Sequence, residues 1–214
     1  MNPHELDLLR QTDIYLIDQI LKGRLDGVRR VVDVGSGSGR NLPWFVDRGA
    51  RVTALEPRPE ALEAMDEYLL ALDLREAATA SLERVLGRIE DAPLERGSAD
   101  LVICNAVLHF AEGASEFEAM LRGAWALVAP GGMFFARLAS SVGVEGGLVP
   151  LGDGRFLLPD ESERYLVDAR GLEEWPDRLG AERLEPVKTT VVSGLRAMST
   201  WVLRAPDDGE TIRP

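Results

Sequence analysis

The sequence predicts an α/β fold, a mostly parallel sheet covered by helices on both faces, from three observations. Short β-branched runs alternate with helical patterns between residues 30 and 138. A glycine-rich turn, GSGSG at 35–39, joins the first strand to the helix after it. Two β-rich runs near the carboxyl terminus are separated only by Ser193, Gly194, Leu195 and Arg196, which obliges them to pair antiparallel. Strands and helices in alternation require right-handed crossovers, and these cover the sheet on both sides.

The elements follow in order. Ile14, Ile17, Leu21 and Leu25 recur at helical spacing, predicting a helix over about 13–25 that Gly23 and Gly27 end. Val31, Val32 and Val34 form the first strand, interrupted by Asp33, and NLPWFVDRG after the glycine turn reads as a helix. Arg51 to Leu55 is the second strand with Glu56 at its carboxyl end, and Pro57 and Pro59 start the next helix. Residues 73–82 are Ala-rich helix or linker, Arg84 to Ile89 the third strand, and Leu101 to Cys104 the fourth. A helix from about Ser115 to Val128 ends at the breaker Pro130-Gly131-Gly132, and Met133 to Leu138 is the fifth strand. The Gly-rich stretch between Ser140 and Arg170 is too long for an ordinary connection and is expected to be an insert covering a substrate. LEEWPDRLG is a short helix, LEPVKTTVV and AMSTWVLR are the paired strands, and the polar APDDGETIRP is expected to fray. The whole chain, 1–214, reads as one domain.

Composition narrows the function. Lys and Arg number 24 against 36 Asp and Glu, a net charge of −12, and such a field disfavours nucleic acid as a partner. A single cysteine, Cys104, and two histidines, His4 and His109, supply neither a disulfide nor a multi-thiolate metal site, so no metal is expected. No apolar run approaches the roughly 20 residues a membrane helix needs, and MNPHELDLLRQTD lacks a secretory apolar stretch. A cytoplasmic protein with a small-molecule partner is the expectation, with no membrane contact and the oligomeric state open.

Gly35, Gly37 and Gly39 let the backbone approach a ligand where a Cβ would collide. The dinucleotide pattern GxGxxG would need glycine where Arg40 stands, so the spacing suits a nucleotide-like ligand without a pyrophosphate, such as a cationic methyl donor. A tight turn without a ligand is the bland alternative. Glu56 follows Gly35 by about 20 residues, the spacing at which an acid ending the second strand bonds a ribose diol. Asp33, inside an apolar strand, either accepts hydrogen bonds from the glycine loop or faces a ligand's amino group. His109, after the fourth strand, is a candidate catalytic base or else a packing residue. Cys104 reads as a buried apolar group. Arg137, Arg155, Arg164 and Tyr165 either bind an anionic acceptor or are surface residues.

Together VDVGSGSGRN, Glu56, the turn IEDAP, LVICNAVLHF and LVAPGGMFFARL resemble, in order and spacing, the class I S-adenosylmethionine-dependent methyltransferases. The resemblance runs from about residue 13 to 204, and within that class it is nearest the tellurite-resistance-type group and small-molecule enzymes like it. It implies a three-layer αβα Rossmann-like fold with a seven-stranded, mostly parallel sheet and an antiparallel C-terminal strand. It also implies S-adenosyl-L-methionine as cofactor. Asp33, Gly35, Ser36 and Gly37 match the turn that cradles the methionine portion, and Glu56 with Pro57 the strand end that holds the ribose. Ile89 and Glu90 match the adenine contact, although the Asp frequent there is displaced, with Arg88 in one register. Asn105 matches the strand end whose carbonyl receives the donor's amino group. CNAVLHF stands where amino-directed nucleic-acid methyltransferases carry DPPY or NPPY, which points to a small-molecule acceptor. A non-catalytic donor-binding module is the alternative; a nicotinamide oxidoreductase is disfavoured by Arg40 and the antiparallel tail.

Overall fold

The computed structural model describes residues 2–207. Among the described residues eight strands build the main sheet, seven along its path and one short piece beside them. β1 (Arg30–Val34), β2 (Arg51–Glu56), β3 (Leu82–Leu86), β4 (Ala99–Asn105) and β5 (Val128–Ser140) are parallel. The three-stranded meander of β6 (Val149–Gly152), β7 (Arg155–Leu157) and β8 (Glu163–Tyr165) stands apart from it, and β9 (Glu182–Arg183) is a two-residue edge piece. β10 (Lys188–Val192) and β11 (Arg196–Arg204) complete the order β10-β11-β5-β4-β1-β2-β3, with β11 antiparallel to both its neighbours and β9 on its end. The chain reverses direction of progress between β1 and β4, and ligands of open parallel sheets bind in the crevice at such a point.

Alternation along the strands sends consecutive residues to opposite layers. Val32, Cys104, Phe134 and Trp201 pack beneath α6 (Ala114–Trp125) and α7 (Ala169–Arg178). Val31, Leu101, Ile103 and Phe135 pack beneath five helices: α1 (Pro3–Leu9), α2 (Ile14–Leu21), α3 (Pro43–Asp47), α4 (Pro59–Ala71) and α5 (Arg75–Ser81). Phe134 and Phe135 are both fully buried, one in each layer, and truncating either to Ala costs about 3–5 kcal/mol.

Several boundaries differ from the sequence pattern. The helix expected over 13–25 stops at Leu21, because Lys22 caps it and Gly23 turns left-handed at φ +69°. The unforeseen α1 is closed by a capping box between Asn2 and Glu5, with Pro3 at its first turn. β3 starts two residues early because Leu82, the C-cap of α5, already pairs with Val52, so the strand ends at Leu86 opposite Glu56. Pro130-Gly131-Gly132 does not break the chain: the extra residues are absorbed as a bulge, Ala99 pairing with Val128 and Leu101 with Met133. The insert contains the β6–β8 meander, whose strands of three or four residues are too short to show an alternating pattern. Of the tail expected to fray, Ala205 and Pro206 bond to Gly132 and Gly131; residues 208–214 lie outside the described residues. Among the described residues no helix is long and apolar enough to cross a membrane.

Candidate functional site

The glycine turn is stitched to the end of β2. The N–H groups of Gly35 and Ser36 both donate to the Leu55 carbonyl, at 2.8 and 3.1 Å. Gly35, Gly37 and Gly39 all hold positive φ, but for different spatial reasons. A Cβ on Gly35 would stand 2.4 Å from Val107 Cγ2, and one on Gly39 2.6 Å from Met65 Cγ. One on Gly37 would meet nothing within 4 Å. Packing forbids a side chain at the outer two positions, whereas the middle one borders open space.

Glu56 is 3% exposed, and its two oxygens are divided. Oε2 accepts the Gly37 N–H at 2.9 Å; Oε1 accepts Arg58 Nε at 2.8 Å and the Arg58 N–H at 3.3 Å. Of the two roles open to Asp33, gripping the glycine loop therefore falls to Glu56 instead. Asp33 is 1% exposed and its Oδ2 has no partner among the described residues. Burial pushes its carboxyl up to about 8, opposed by Arg40 and reinforced by the charge of Glu56. Ser36 Oγ and both amide atoms of Asn105 are likewise buried without partners. Buried polar atoms are nearly always bonded. Other exceptions are scattered, on Tyr68, Arg137, Arg183 and Thr200, but these four atoms of Asp33, Ser36 and Asn105 lie together at the carboxyl ends of the adjacent strands β1 and β4, where a polar ligand would satisfy them. Ala106, next after Asn105, holds φ +64°, an uncommon conformation for a residue with a Cβ that recurs at ligand sites.

A cleft of about 380 Å³ opens at these strand ends. Of the site residues expected from the sequence, Gly35, Glu56, Pro57, Ile89 and Glu90 line it; Asp33, Ser36, Gly37, Asn105 and His109 do not reach its wall. Arg88, placed at the adenine contact in one register, lines it too, whereas sequence reasoning missed Arg58, Ala106, Val107, Phe110 and Met120. The end of β3 was the signal for some of these, since Gly87, whose N–H bonds the Glu56 carbonyl at 3.1 Å, leads directly into Arg88, Ile89 and Glu90. Arg88 pairs with Glu90 at 3.3 Å and with Glu116 on α6. A larger depression, about 420 Å³, lies around Arg30, Arg51 and Thr79 at the amino ends of the strands, and neither the glycine turn nor Asp33 nor Asn105 lines it.

His109 sits in the short turn Leu108–Phe110, 7% exposed, and its Nδ1 accepts the Ala139 N–H at 3.3 Å. Burial, with the charge of Arg164, pushes its pKa down to about 4. A neutral ring so held keeps its proton on Nε2. Cys104 is buried, and burial together with Asp33 pushes its thiol far up. Arg137 is bound to Asp13 at 2.8 Å and Arg155 to Glu112 and Glu163 at 3.2 and 2.6 Å. Tyr165 stacks on Phe117, ring centroids 4.6 Å apart.

Residues 32–136 match the model of a methyltransferase domain family. An uncharacterized methyltransferase of Mycobacterium tuberculosis is 32% identical over 104 residues, which is 49% of this chain but only 37% of that protein. The chain thus matches well under half the length of that relative. Two solved structures share the fold. The 1,6-didemethyltoxoflavin-N1-methyltransferase of Burkholderia thailandensis, with its substrate and S-adenosylhomocysteine bound, superposes with a TM-score of 0.62 at 17% identity, covering 97% of this chain and 92% of that one. TehB of Haemophilus influenzae gives 0.64 at 17% identity, covering 88% and 61%.

Proposed function

We propose that the chain carries a class I S-adenosylmethionine-dependent methyltransferase domain and transfers a methyl group from S-adenosyl-L-methionine to a small-molecule acceptor. The observation that carries this reading is the buried Glu56 carboxylate, which holds the Gly37 N–H while facing a cleft at the topological switch of a parallel sheet.

The residues present suit that donor. Glu56 and Pro57 hold the ribose, at the price of the Arg58 contact with Oε1, which is cheap to release because Arg58 is 63% exposed. Asp33, Gly35, Ser36, Gly37 and Asn105 take the methionine portion, matching the orphaned buried atoms and the open space at Gly37. Ile89 and Glu90, with Met120, form the adenine walls. When bound, the donor supplies a methyl carbon already activated by a sulfonium. The protein's own work is alignment and exclusion of water. In this reading His109 braces the turn against β5 and offers an Nε2–H, and is not a proton acceptor, since Nδ1 is occupied. The net charge of −12 favours a small acceptor over a phosphate backbone.

Calorimetry with S-adenosylmethionine, S-adenosylhomocysteine and NAD tests the donor site: saturable binding of the first two is expected, and binding of NAD alone overturns it. Transfer of a labelled methyl group to low-molecular-weight compounds of a cell extract tests the reaction. Donor binding without any transfer would reduce the protein to a binding module.

A further inference from the structure

We propose that Arg164 is the acceptor-recognition cation of this cleft, taking an anionic oxygen group, a carboxylate, on the small molecule that is methylated. Its role as an acceptor residue rests on the methyl-transfer reading; its selectivity for an anion stands on separate geometry.

Arg164 lies on β8, paired across the meander with Phe156, where the small sheet meets the cleft. Its guanidinium carbon is 4.9 Å from the ring centroid of Phe110, a cleft wall that is 57% exposed. Three ties fix the meander at that rim. Asp153 Oδ2 accepts the Ala114 N–H at 3.2 Å, Arg155 reaches Glu112 at 3.2 Å, and Tyr165 stacks on Phe117. The cation is therefore placed by paired strands, and groups so placed bind with more geometric definition than groups on loops.

Its pairing sets it apart. Of the cations that line the cleft, Arg88 is neutralised by Glu90 with Glu116, and Arg58 pairs with Glu56 until the ribose takes that carboxylate. Arg155, on the neighbouring strand, spans Glu112 and Glu163, and Arg137 is bound to Asp13. Arg164 donates one hydrogen bond, to the Glu163 carbonyl at 2.6 Å, and among the described residues has no carboxylate within ion-pair distance. Asp160 is near enough to feel the charge of Arg164 but forms no ion pair with it, so the guanidinium's N–H donors stay open at a rim where the other cations are paired.

Contact with the Phe110 face orients the guanidinium without neutralising it, leaving further N–H donors for a planar, bidentate partner. The charge is felt locally: it helps hold His109, the residue before Phe110, in its neutral form. A protein of net charge −12 repels anions at long range, so an anionic acceptor requires a local cation of this kind.

Matched acids and amides, benzoate with benzamide and phenylacetate with phenylacetamide, test this by ligand-observed NMR titration of the full chain, with and without S-adenosylhomocysteine. The wild type is expected to prefer each acid by roughly tenfold, Arg164→Gln to lose the preference, and Arg164→Lys to keep part of it. S-adenosylhomocysteine affinity should agree within about twofold across the three proteins, as for independent sites. In Arg164→Gln the His109 imidazole should also titrate at higher pH. Equal binding of acid and amide by the wild type, or a preference that survives Arg164→Gln, overturns the proposal. Failure of S-adenosylhomocysteine to bind counts against the donor reading alone, because the acid–amide comparison is also made without it.

Discussion

The Gly37 N–H donates to Glu56 Oε2 at 2.9 Å, so the acid at the tip of β2 and the turn after β1 form one hydrogen-bonded unit. On the proposed donor reading, ligand binding and loop geometry are coupled through that carboxylate. Glu56→Ala should weaken S-adenosylmethionine binding by about 1–3 kcal/mol, the cost of unmaking hydrogen bonds to a buried partner. Glu56→Gln, which keeps one acceptor, should lose less. Calorimetric dissociation constants equal to wild type would refute the role.

The two glycines on either side of Ser36 should separate stability from binding. Gly35→Ala drives a Cβ to 2.4 Å from Val107 and should destabilise the fold by more than the roughly 1–2 kcal/mol of left-handed strain alone. Gly37→Ala carries only that strain, its Cβ standing in open space, yet should abolish most donor binding. Denaturant melts and calorimetry on both variants make the comparison.

Asp33 has its folded pKa raised from 3.8 to about 8, chiefly by burial. A raised acid costs stability as pH climbs above its unfolded value, because the unfolded chain then releases the proton more readily. Asp33→Asn should therefore match wild type in stability below pH 3.8 and exceed it increasingly toward pH 8. A cationic donor favours the ionised carboxylate, so wild-type affinity should rise over the same interval with release of a proton, and Asp33→Asn should lose that dependence. Thermal melts across pH, and calorimetry in buffers of different ionisation enthalpy, check both.

Glu185 behaves oppositely. Burial pushes its carboxyl up, but hydrogen bonds from Lys188, Lys22, Arg24 and Gln19 prevail and hold it down to about 2. These contacts fasten α2 to the segment before β10. Their contribution is present above the unfolded value of 4.5 and is lost as pH falls toward 2. Glu185→Gln should therefore lower the melting temperature near neutral pH, by an amount that shrinks in acid; a constant difference across the range would contradict it.

Much of the fold was legible because its signals are local. The valines of β1, the glycines at 35–39 and the acid closing β2 declare themselves through periodicity and backbone freedom, which depend on neighbours a few residues away. Glu56 and Gly35 were readable for that reason. Arg58, Ala106 and Phe110 were not, since only the packing of β3, β4 and the turn at 108–110 brings them to one wall. The β6–β8 meander was hidden because three-residue strands carry no period, and the early start of β3 because pairing with Val52 decided it.

The amino-acid sequence by itself determined the order of the long strands of the main sheet and the helices between them, the glycine turn, and the acid at the end of β2. Tertiary structure alone decided which charges meet: that Asp13 takes Arg137, that the Ala139 N–H donates to Nδ1 of His109, and that Arg164 has no ion-pair partner among the described residues. The reason is physical. Backbone preference acts between near neighbours, whereas the partner of a charged or hydrogen-bonding side chain is chosen by whatever distant segment the packed sheet brings within about 3 Å.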